Sequence, residues 1–203
     1  MKIHRIALAV AAGLVLAGCL PVTTKTPVGT TAGLGADPAL IGSWIARSKD
    51  QEDKNHKDIG VAYFHFLQIK GAGAINVLWV SASDRKGDNG WMSFSASTAK
   101  LGAYNYLNAI WLSENDKPAG DNLKEANFPL LYSFGGDRRL TLYLLDEDKA
   151  KEAIKAGKIA GTIEPGNFGD VKITAAPGAL DAFFATPEAA KLFKVFIVLR
   201  RVE

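Results

Sequence analysis

The sequence predicts a mainly β fold of the α+β class, an antiparallel meander that closes into a barrel. Short apolar segments rich in aromatic and β-branched residues recur along most of the chain, and turn residues separate them. Helical periodicity appears only late, in one longer segment and two short ones. Because eight or nine strands without covering helices would leave exposed edges, a closed or nearly closed barrel is the favoured arrangement.

Seven segments before residue 146 have the composition of strands. Alternation is clearest over residues 91–95, where Met92 and Phe94 face one side and serines face the other. Glycine, asparagine and aspartate at three junctions accept the positive φ that tight hairpins require. These junctions are 71–73, 88–90 and 135–137. The predicted strands are 41–47, 60–69, 74–81, 90–97, 104–112, 129–134 and 140–145.

The pattern changes after residue 145. Residues 146–157 predict a helix, because three acidic residues lie at its positive end and Gly157 can end it. The final strand is very apolar, which is typical of a central strand rather than an edge. The remaining predicted elements are a strand at 171–174, short helices at 178–185 and 187–193, and the final strand at 194–202.

The first nineteen residues have the three parts of an export signal. Lys2 and Arg5 give a positive start, an apolar run occupies 6–16, and Leu-Ala-Gly-Cys follows at 16–19. The apolar run is shorter than the roughly 20 residues that a membrane-spanning helix needs. We therefore expect residues 1–18 to be a signal peptide that is removed.

Residues 16–19 resemble the lipobox of bacterial lipoproteins, in which a large aliphatic residue and two small residues precede an invariant cysteine. The resemblance implies that Cys19 becomes the first mature residue. Its thiol would carry a diacylglyceryl group and its freed amine a further acyl chain such as palmitate, and chains of this number anchor a protein firmly to a membrane. In that family Leu20 after the cysteine, rather than aspartate, implies the outer membrane and a domain that faces the periplasm.

Residues 19–36 predict a lipidated N-terminus and a flexible tether. Threonine, glycine, proline and alanine dominate this segment, and Lys25 is its only charged residue. Asp37 can cap a short turn before residues 39–41. We therefore expect a single β-rich domain over residues 37–203.

Composition bounds the class of protein further. Cys19 is the only cysteine, so the mature domain must be stabilised by packing and not by an internal disulfide. Without Lys2 and Arg5 the chain keeps 22 basic and 21 acidic residues. No block of like charge remains, which argues against nucleic acid as a partner.

The sequence has no pattern typical of an enzyme, a metal site or a cofactor site. Gly-x-Ser-x-Gly and phosphate-loop motifs are missing from it. His56 lies in the charged stretch 50–58, where interleaved lysines argue against calcium binding and favour a solvated loop. His65 lies between two phenylalanines of a predicted strand, where a hydrogen-bonded structural histidine is the ordinary case. Hydrolysis through His65 and a neighbouring carboxylate is the weaker alternative.

The aromatic residues carry a second resemblance. Each tryptophan lies in a predicted strand, where it either fills the core or lines an apolar cavity; these are Trp44, Trp79, Trp91 and Trp111. Gly42 and Trp44 in the first strand and two arginines at the end of the last strand are similar to the lipocalin pattern, in which Gly-x-Trp opens the barrel and an arginine closes it. The resemblance implies that Arg200 or Arg201 lies across the Trp44 ring, a geometry that cation–π attraction supports.

Two functions are compatible with these features. The first is a lipid-anchored, non-enzymatic, lipocalin-like barrel that binds a small apolar ligand or an envelope lipid. It requires an interior cavity that is open at one end. The second is a protein-interaction module in envelope assembly or in the inhibition of an enzyme, with the loops 50–58 and 117–127 as candidate contact sites.

Overall fold

A computed structural model describes residues 22–51, 60–68, 73–82, 90–121, 123–164 and 171–202. Within these ranges the strands are β1 (Thr23–Thr24), β2 (Gly42–Arg47), β3 (Val61–Gln68), β4 (Ile75–Ala82), β5 (Gly90–Leu101), β6 (Tyr104–Glu114), β7 (Lys117–Pro118), β8 (Phe128–Gly135), β9 (Arg139–Leu145), β10 (Gly161–Ile163), β11 (Val171–Ile173) and β12 (Phe193–Arg201). The helices are α1 (Glu147–Lys155), α2 (Pro177–Phe184) and α3 (Pro187–Ala190), with a 3-10 turn at Ser48–Asp50.

Eight antiparallel strands close into a barrel, in the order β2, β3, β4, β5, β6, β8, β9, β12 and back to β2. All eight contribute to one hydrophobic core in the barrel interior. In β3, for example, Ala62, Phe64 and Phe66 are buried, whereas Tyr63 and Leu67 on the opposite face are exposed. The predicted mainly β fold with a closed barrel is therefore confirmed.

The structure confirms the predicted strands and helices, with shifts at their ends. β5 continues to Leu101, beyond the predicted end at residue 97, because it forms a long hairpin with β6 that turns at Gly102. The helix predicted at 187–193 ends at Ala190, since Phe193 already pairs with Leu145 as the first residue of β12. The short strands β1, β7 and β10 were not predicted.

The predicted hairpin turns have mixed outcomes. At the junction of β8 and β9, Asp137 and Arg138 take the positive φ values, +58° and +55°, while Gly135 and Gly136 do not. The prediction of positive φ is thus correct for Asp137 and wrong for Gly135 and Gly136. Residues 71–72 and 88–89 of the other two turns, and residues 52–58 of the charged stretch with His56, lie outside the described residues.

A second hydrophobic core lies outside the barrel, under what we call the helical layer (α1, α2, α3, β1, β10 and β11). In its small sheet β11 is central, parallel to β1 and antiparallel to β10. Buried side chains from this layer pack against outward-facing residues of the barrel such as Tyr106 and Leu145. The Tyr106 hydroxyl donates to the Phe184 carbonyl (2.7 Å), and burial raises the pKa of Tyr106 above its ordinary value, so this bond keeps its proton.

Residues 22–36, which we call the strap, pack on this structure instead of forming a tether. Val22 and Val28 are buried, with relative exposures of 2% and 0%. The Val28 amide donates to Asn108 Oδ1 (2.7 Å), and the Val28 carbonyl accepts from Asn108 Nδ2 (2.8 Å). Asn108 therefore pairs with the strap as a neighbouring strand would.

The middle of the strap is held by one buried carboxylate. Asp181 accepts from the Gly29 amide (2.6 Å), the Thr31 amide (2.8 Å) and the Thr31 hydroxyl (2.5 Å). A side chain at Gly29 would place its Cβ 2.0 Å from Ala99 Cβ, so glycine permits a close approach there. The predicted flexible tether is wrong for residues 22–36, because their small size serves packing against partners that are distant in the sequence.

Candidate functional site

One end of the barrel is sealed by a tryptophan and an arginine. The Trp44 indole nitrogen donates to the Leu40 carbonyl (2.8 Å), which fixes the ring below the turn that enters β2. Arg201 Cζ lies 5.3 Å from the Trp44 ring centroid. The same guanidinium donates to the Ile41 carbonyl (2.6 Å) and the Ala39 carbonyl (3.3 Å), so it ties the entering chain to the last strand. We call this the sealed end.

The neighbouring residues explain why only one arginine takes this position. Arg201 is the cross-strand partner of Trp44, whereas Arg200 pairs with Ile45 on the outer face and donates to Asp50 (3.0 Å). Gly42 has a φ of +131°, and a Cβ there would lie 2.9 Å from Arg201 Nη2. The structure thus places Gly42, Trp44 and Arg201 together and separates Arg200 from them.

The opposite end of the barrel interior is lined by aromatic side chains. Because the strands are antiparallel and β2 begins at the sealed end, the far end receives the second half of β4 and β6 and the first half of β5 and β12. Four interior aromatic residues lie in those halves and are only partly buried; they are Trp79, Phe94, Trp111 and Phe196. We call these four residues the aromatic end.

The rings of the aromatic end contact one another and the deeper core. Trp79 stacks on Phe64 with 5.2 Å between ring centroids and meets Phe196 edge-on at 6.0 Å, while Phe94 stacks on Trp111 at 6.4 Å. The Trp111 indole donates to the Ser113 carbonyl (3.0 Å). The Trp79 indole nitrogen is buried without a hydrogen-bond partner. A ligand oxygen that reached Trp79 would relieve this unsatisfied donor.

Two of these four residues were not singled out from the sequence. The sequence makes Trp79 and Trp111 candidates for a cavity wall, and it assigns Phe94 only to a strand face. Phe196 sits next to an irregularity between Val195 and Ile197 that shifts the register of β12, so simple alternation does not assign it to the interior. Trp91 pairs with Val80 on the outer face of the barrel and does not join them.

His65 lies on the outer face of β3, away from any interior site. Its Nδ1 is hydrogen-bonded to the Ser43 hydroxyl (2.8 Å), and its ring stacks on Tyr63 with 6.3 Å between centroids. This matches the structural histidine that the sequence predicts, with a hydroxyl rather than a carboxylate as its side-chain partner. Over the described ranges, no three His, Cys, Asp or Glu side chains are grouped to hold a metal ion.

A strip of the outer surface around β3 is apolar, and no helix of the described ranges lies over it. Tyr63 and Leu67 are exposed at 37% and 56%, and their β4 neighbours Leu78 and Val80 are partly exposed. We call these four residues the bare face. In the closed order of strands β3 lies four positions from β8, so the bare face is on the opposite side of the barrel from the helical layer.

The second predicted contact loop is also at the surface. Within 117–127, most described residues are exposed, and Lys124 donates to Asp121 (2.6 Å). This hydrogen bond, with the charge of Lys124, lowers the pKa of the Asp121 carboxyl. Ala126 and Asn127 are buried, because the loop returns there to pair with the strap at Thr24. The exposed part of the loop is therefore short.

Two shallow depressions lie outside the barrel. One, of about 250 Å³, lies beside α1 and is lined by Ala153, Phe183 and Leu192 among others. The other, of about 410 Å³, lies beside the strap and includes Asp37 and Tyr132, which are hydrogen-bonded (2.7 Å). Burial and the Asp37 carboxylate raise the pKa of Tyr132. Neither depression is lined by the aromatic end, so neither is the interior cavity that the ligand-binding hypothesis requires.

Comparisons of the chain with protein-family models, with curated proteins and with solved structures found no match. In the part of the chain that the structure describes, no helix has both the length and the apolar character required to cross a membrane. The function of this protein is therefore inferred from its own residues and geometry.

Proposed function

We propose that this protein is a lipid-anchored envelope lipoprotein whose barrel binds a small apolar ligand or an envelope lipid through its aromatic end. The observation that carries the proposal is the contrast between the barrel ends. One end is sealed by Trp44 and Arg201, and the other exposes four interior aromatic side chains to solvent. Partly exposed aromatic rings at the mouth of a barrel are typical of a site for an apolar molecule.

The aromatic end also favours a particular kind of apolar ligand. Rings of Trp79, Phe94, Trp111 and Phe196 provide broad apolar surface, and the unpartnered Trp79 indole N–H provides one hydrogen-bond donor. A ligand with an apolar body and an acceptor oxygen, such as a fatty acid or an ester lipid, would satisfy both. A ligand without an apolar body fits this chemistry poorly.

The anchor part of the proposal rests on Cys19 and the residues before it. Replacing Cys19 with serine should abolish incorporation of labelled palmitate and move the protein from the membrane fraction to the soluble fraction. Separation of inner and outer membranes then tests the outer-membrane assignment. Retention of the label in the Cys19→Ser variant would exclude this anchor.

The ligand part is tested first on the protein as it is purified from a bacterial envelope. Native mass spectrometry and organic extraction should find a stoichiometric apolar molecule. Titration of the delipidated, empty protein with oleate should change its tryptophan fluorescence and saturate at one equivalent. An empty protein that shows no saturable binding would reject a carrier function.

A pair of matched tryptophan variants assigns the site. Trp111→Ala should weaken oleate binding by about tenfold, since stacking area and burial in such pockets contribute roughly 1.4 kcal/mol or more. Trp91→Ala removes a tryptophan of the outer face and should leave the affinity unchanged. Equal losses in both variants would place the ligand elsewhere.

A protein-interaction module is the second candidate, and the bare face favours it. Exposed Tyr63 and Leu67 beside Leu78 and Val80 form an apolar strip that the described residues leave uncovered. A photo-crosslinking residue at position 67 should then give a discrete protein adduct in the envelope, and one at exposed position 100 should not. Adducts of equal yield at both positions would argue against a specific docking face.

A further inference from the structure

The chain joins the folded domain almost immediately after the proposed anchor. Val22 is buried in the core under the helical layer, and Thr23 and Thr24 pair with Lys172 and Ile173 in β1 and β11. Only Leu20 and Pro21 separate Cys19 from that buried residue. The point at which the acyl chains would leave the protein is therefore fixed within the helical layer.

The bonds of the strap make this exit point rigid. The side chains of Asn108 and Asp181 together form five hydrogen bonds with strap residues from Val28 to Thr31. Thr24 pairs with Asn127, and the Lys25 amide donates to the Ile173 carbonyl (2.9 Å). Release of the strap would break these bonds and expose Val22 and Val28. The strap therefore does not lengthen the flexible connection between Cys19 and the domain.

The reach of the remaining chain is short compared with the domain. Three extended residues span about 10 Å. A globular domain of this length has a radius of gyration of about 16 Å, which makes it roughly 40 Å across. The surface around the exit point must therefore lie close to the bilayer, and the side of the barrel opposite to it must lie far from the bilayer.

We propose that the helical layer is the membrane-facing side of this protein and lies directly on the bilayer that holds the acyl chains of Cys19. This inference rests on the proposed lipid anchor but not on the proposed ligand. It directs the bare face on β3 away from the membrane, since β3 is opposite β8 in the barrel. Because the connection to Cys19 is short, the surface that contacts the helical layer is the lipid bilayer.

The side chains at the exit point fit a surface of phospholipid headgroups. Lys25 and Lys172 are exposed, and Lys172 is the register partner of Thr23. Cations at this position meet the phosphates of a membrane surface. The bare face on the far side presents Tyr63 and Leu67 instead.

The single cysteine of the chain makes the orientation directly measurable. In the lipidated protein Cys19 is blocked, so a cysteine introduced by Lys172→Cys or Leu67→Cys is the only free thiol. Each variant is purified in full from bacterial membranes, labelled with a fluorophore and placed in vesicles of phosphatidylethanolamine and phosphatidylglycerol. Nitroxide-headgroup lipids in the vesicles then quench fluorophores that lie near the bilayer.

We expect quenching at residue 172 to be about threefold stronger than at residue 67, because the two sites lie on opposite sides of a domain roughly 40 Å across. Insertion of about 15 Gly and Ser residues between residues 21 and 22, a coil of about 20 Å, should abolish the difference. Equal quenching without the insertion would overturn the proposed orientation.

Flotation of the same samples separates this outcome from failure of the anchor. Protein that floats with the vesicles but shows equal quenching at both sites is anchored and lacks the orientation. Protein that does not float, like the Cys19→Ser control, lacks the anchor, and both proposals that use it are then wrong. Neither result depends on whether the aromatic end holds a ligand.

Discussion

Both ends of the barrel contain tryptophan, and they differ in whether the indole N–H of the buried ring has a hydrogen-bond partner. At the sealed end the Trp44 indole donates to Leu40, and Arg201 donates to two carbonyls while it covers the ring. At the aromatic end the Trp79 indole is buried without a partner, and the surrounding rings stay partly exposed. Satisfied groups are typical of a structural closure, and unsatisfied ones are typical of a binding site.

The comparison predicts that stability depends mainly on the sealed end. Trp44→Ala should lower the free energy of unfolding by about 3–5 kcal/mol, because it leaves a large cavity and unpaired groups in a fully buried site. Urea unfolding followed by circular dichroism measures the loss. Trp91→Ala, on the outer face, should cost about 1 kcal/mol. Equal losses of unfolding free energy in the two variants would mean that Trp44 does not seal the barrel.

The second prediction concerns the backbone of the sealed end. Gly42→Ala should destabilise the fold by about 1–3 kcal/mol, since a non-glycine residue is strained at this positive φ and its Cβ would displace Arg201. Gly136 has an ordinary φ and open space around it, so Gly136→Ala is the matched control and should have little effect. A neutral Gly42→Ala variant would contradict the close approach of Arg201.

A smaller effect is expected from the arginine itself. Arg201→Ala should lower the free energy of unfolding by about 1–2 kcal/mol, through loss of the cation–π contact and two hydrogen bonds. Arg201→Lys keeps the charge but not the planar fork that reaches both carbonyls, so it should recover less than half of the loss. Full recovery by lysine would show that charge alone is sufficient.

The smallest effect on stability is expected at the aromatic end. Trp79→Phe removes an unsatisfied N–H and some ring area, so the free energy of unfolding should change by less than about 1.5 kcal/mol. Affinity for oleate should nevertheless fall by about 5-fold to 10-fold, the value of one hydrogen bond. Calorimetric titration and urea unfolding of the same samples separate the two quantities. A large loss of stability with unchanged affinity would make Trp79 a core residue.

The soluble protein used in these measurements must keep the strap. Cutting the chain before residue 37 would remove Val22 and Val28 from the second core and leave Asp181 and Asn108 without their partners. A cut before residue 22, or Cys19→Ser in the full chain, preserves them.

Much of the fold could be predicted because its signals are local. Alternation in β3, the acidic start of α1 and the apolar final strand each depend on neighbouring residues. The Asp146 carboxylate, for example, accepts from the Asp148 and Lys149 amides as the sequence suggests for a helix start. The strap could not be predicted in this way, because Gly29 and Asp181 are 152 residues apart.

The sequence by itself determined the barrel strands and the helix starts, and its lipocalin resemblance implied that a terminal arginine covers the tryptophan of Gly-x-Trp. Tertiary structure alone decided that Arg201 and not Arg200 covers Trp44, because a one-residue change in strand register moves a side chain to the other face. It also decided which tryptophans line the interior and that a segment of threonine, glycine and proline is packed. Periodicity assigns a residue to a face, whereas strand closure and contacts between distant residues determine what that face meets.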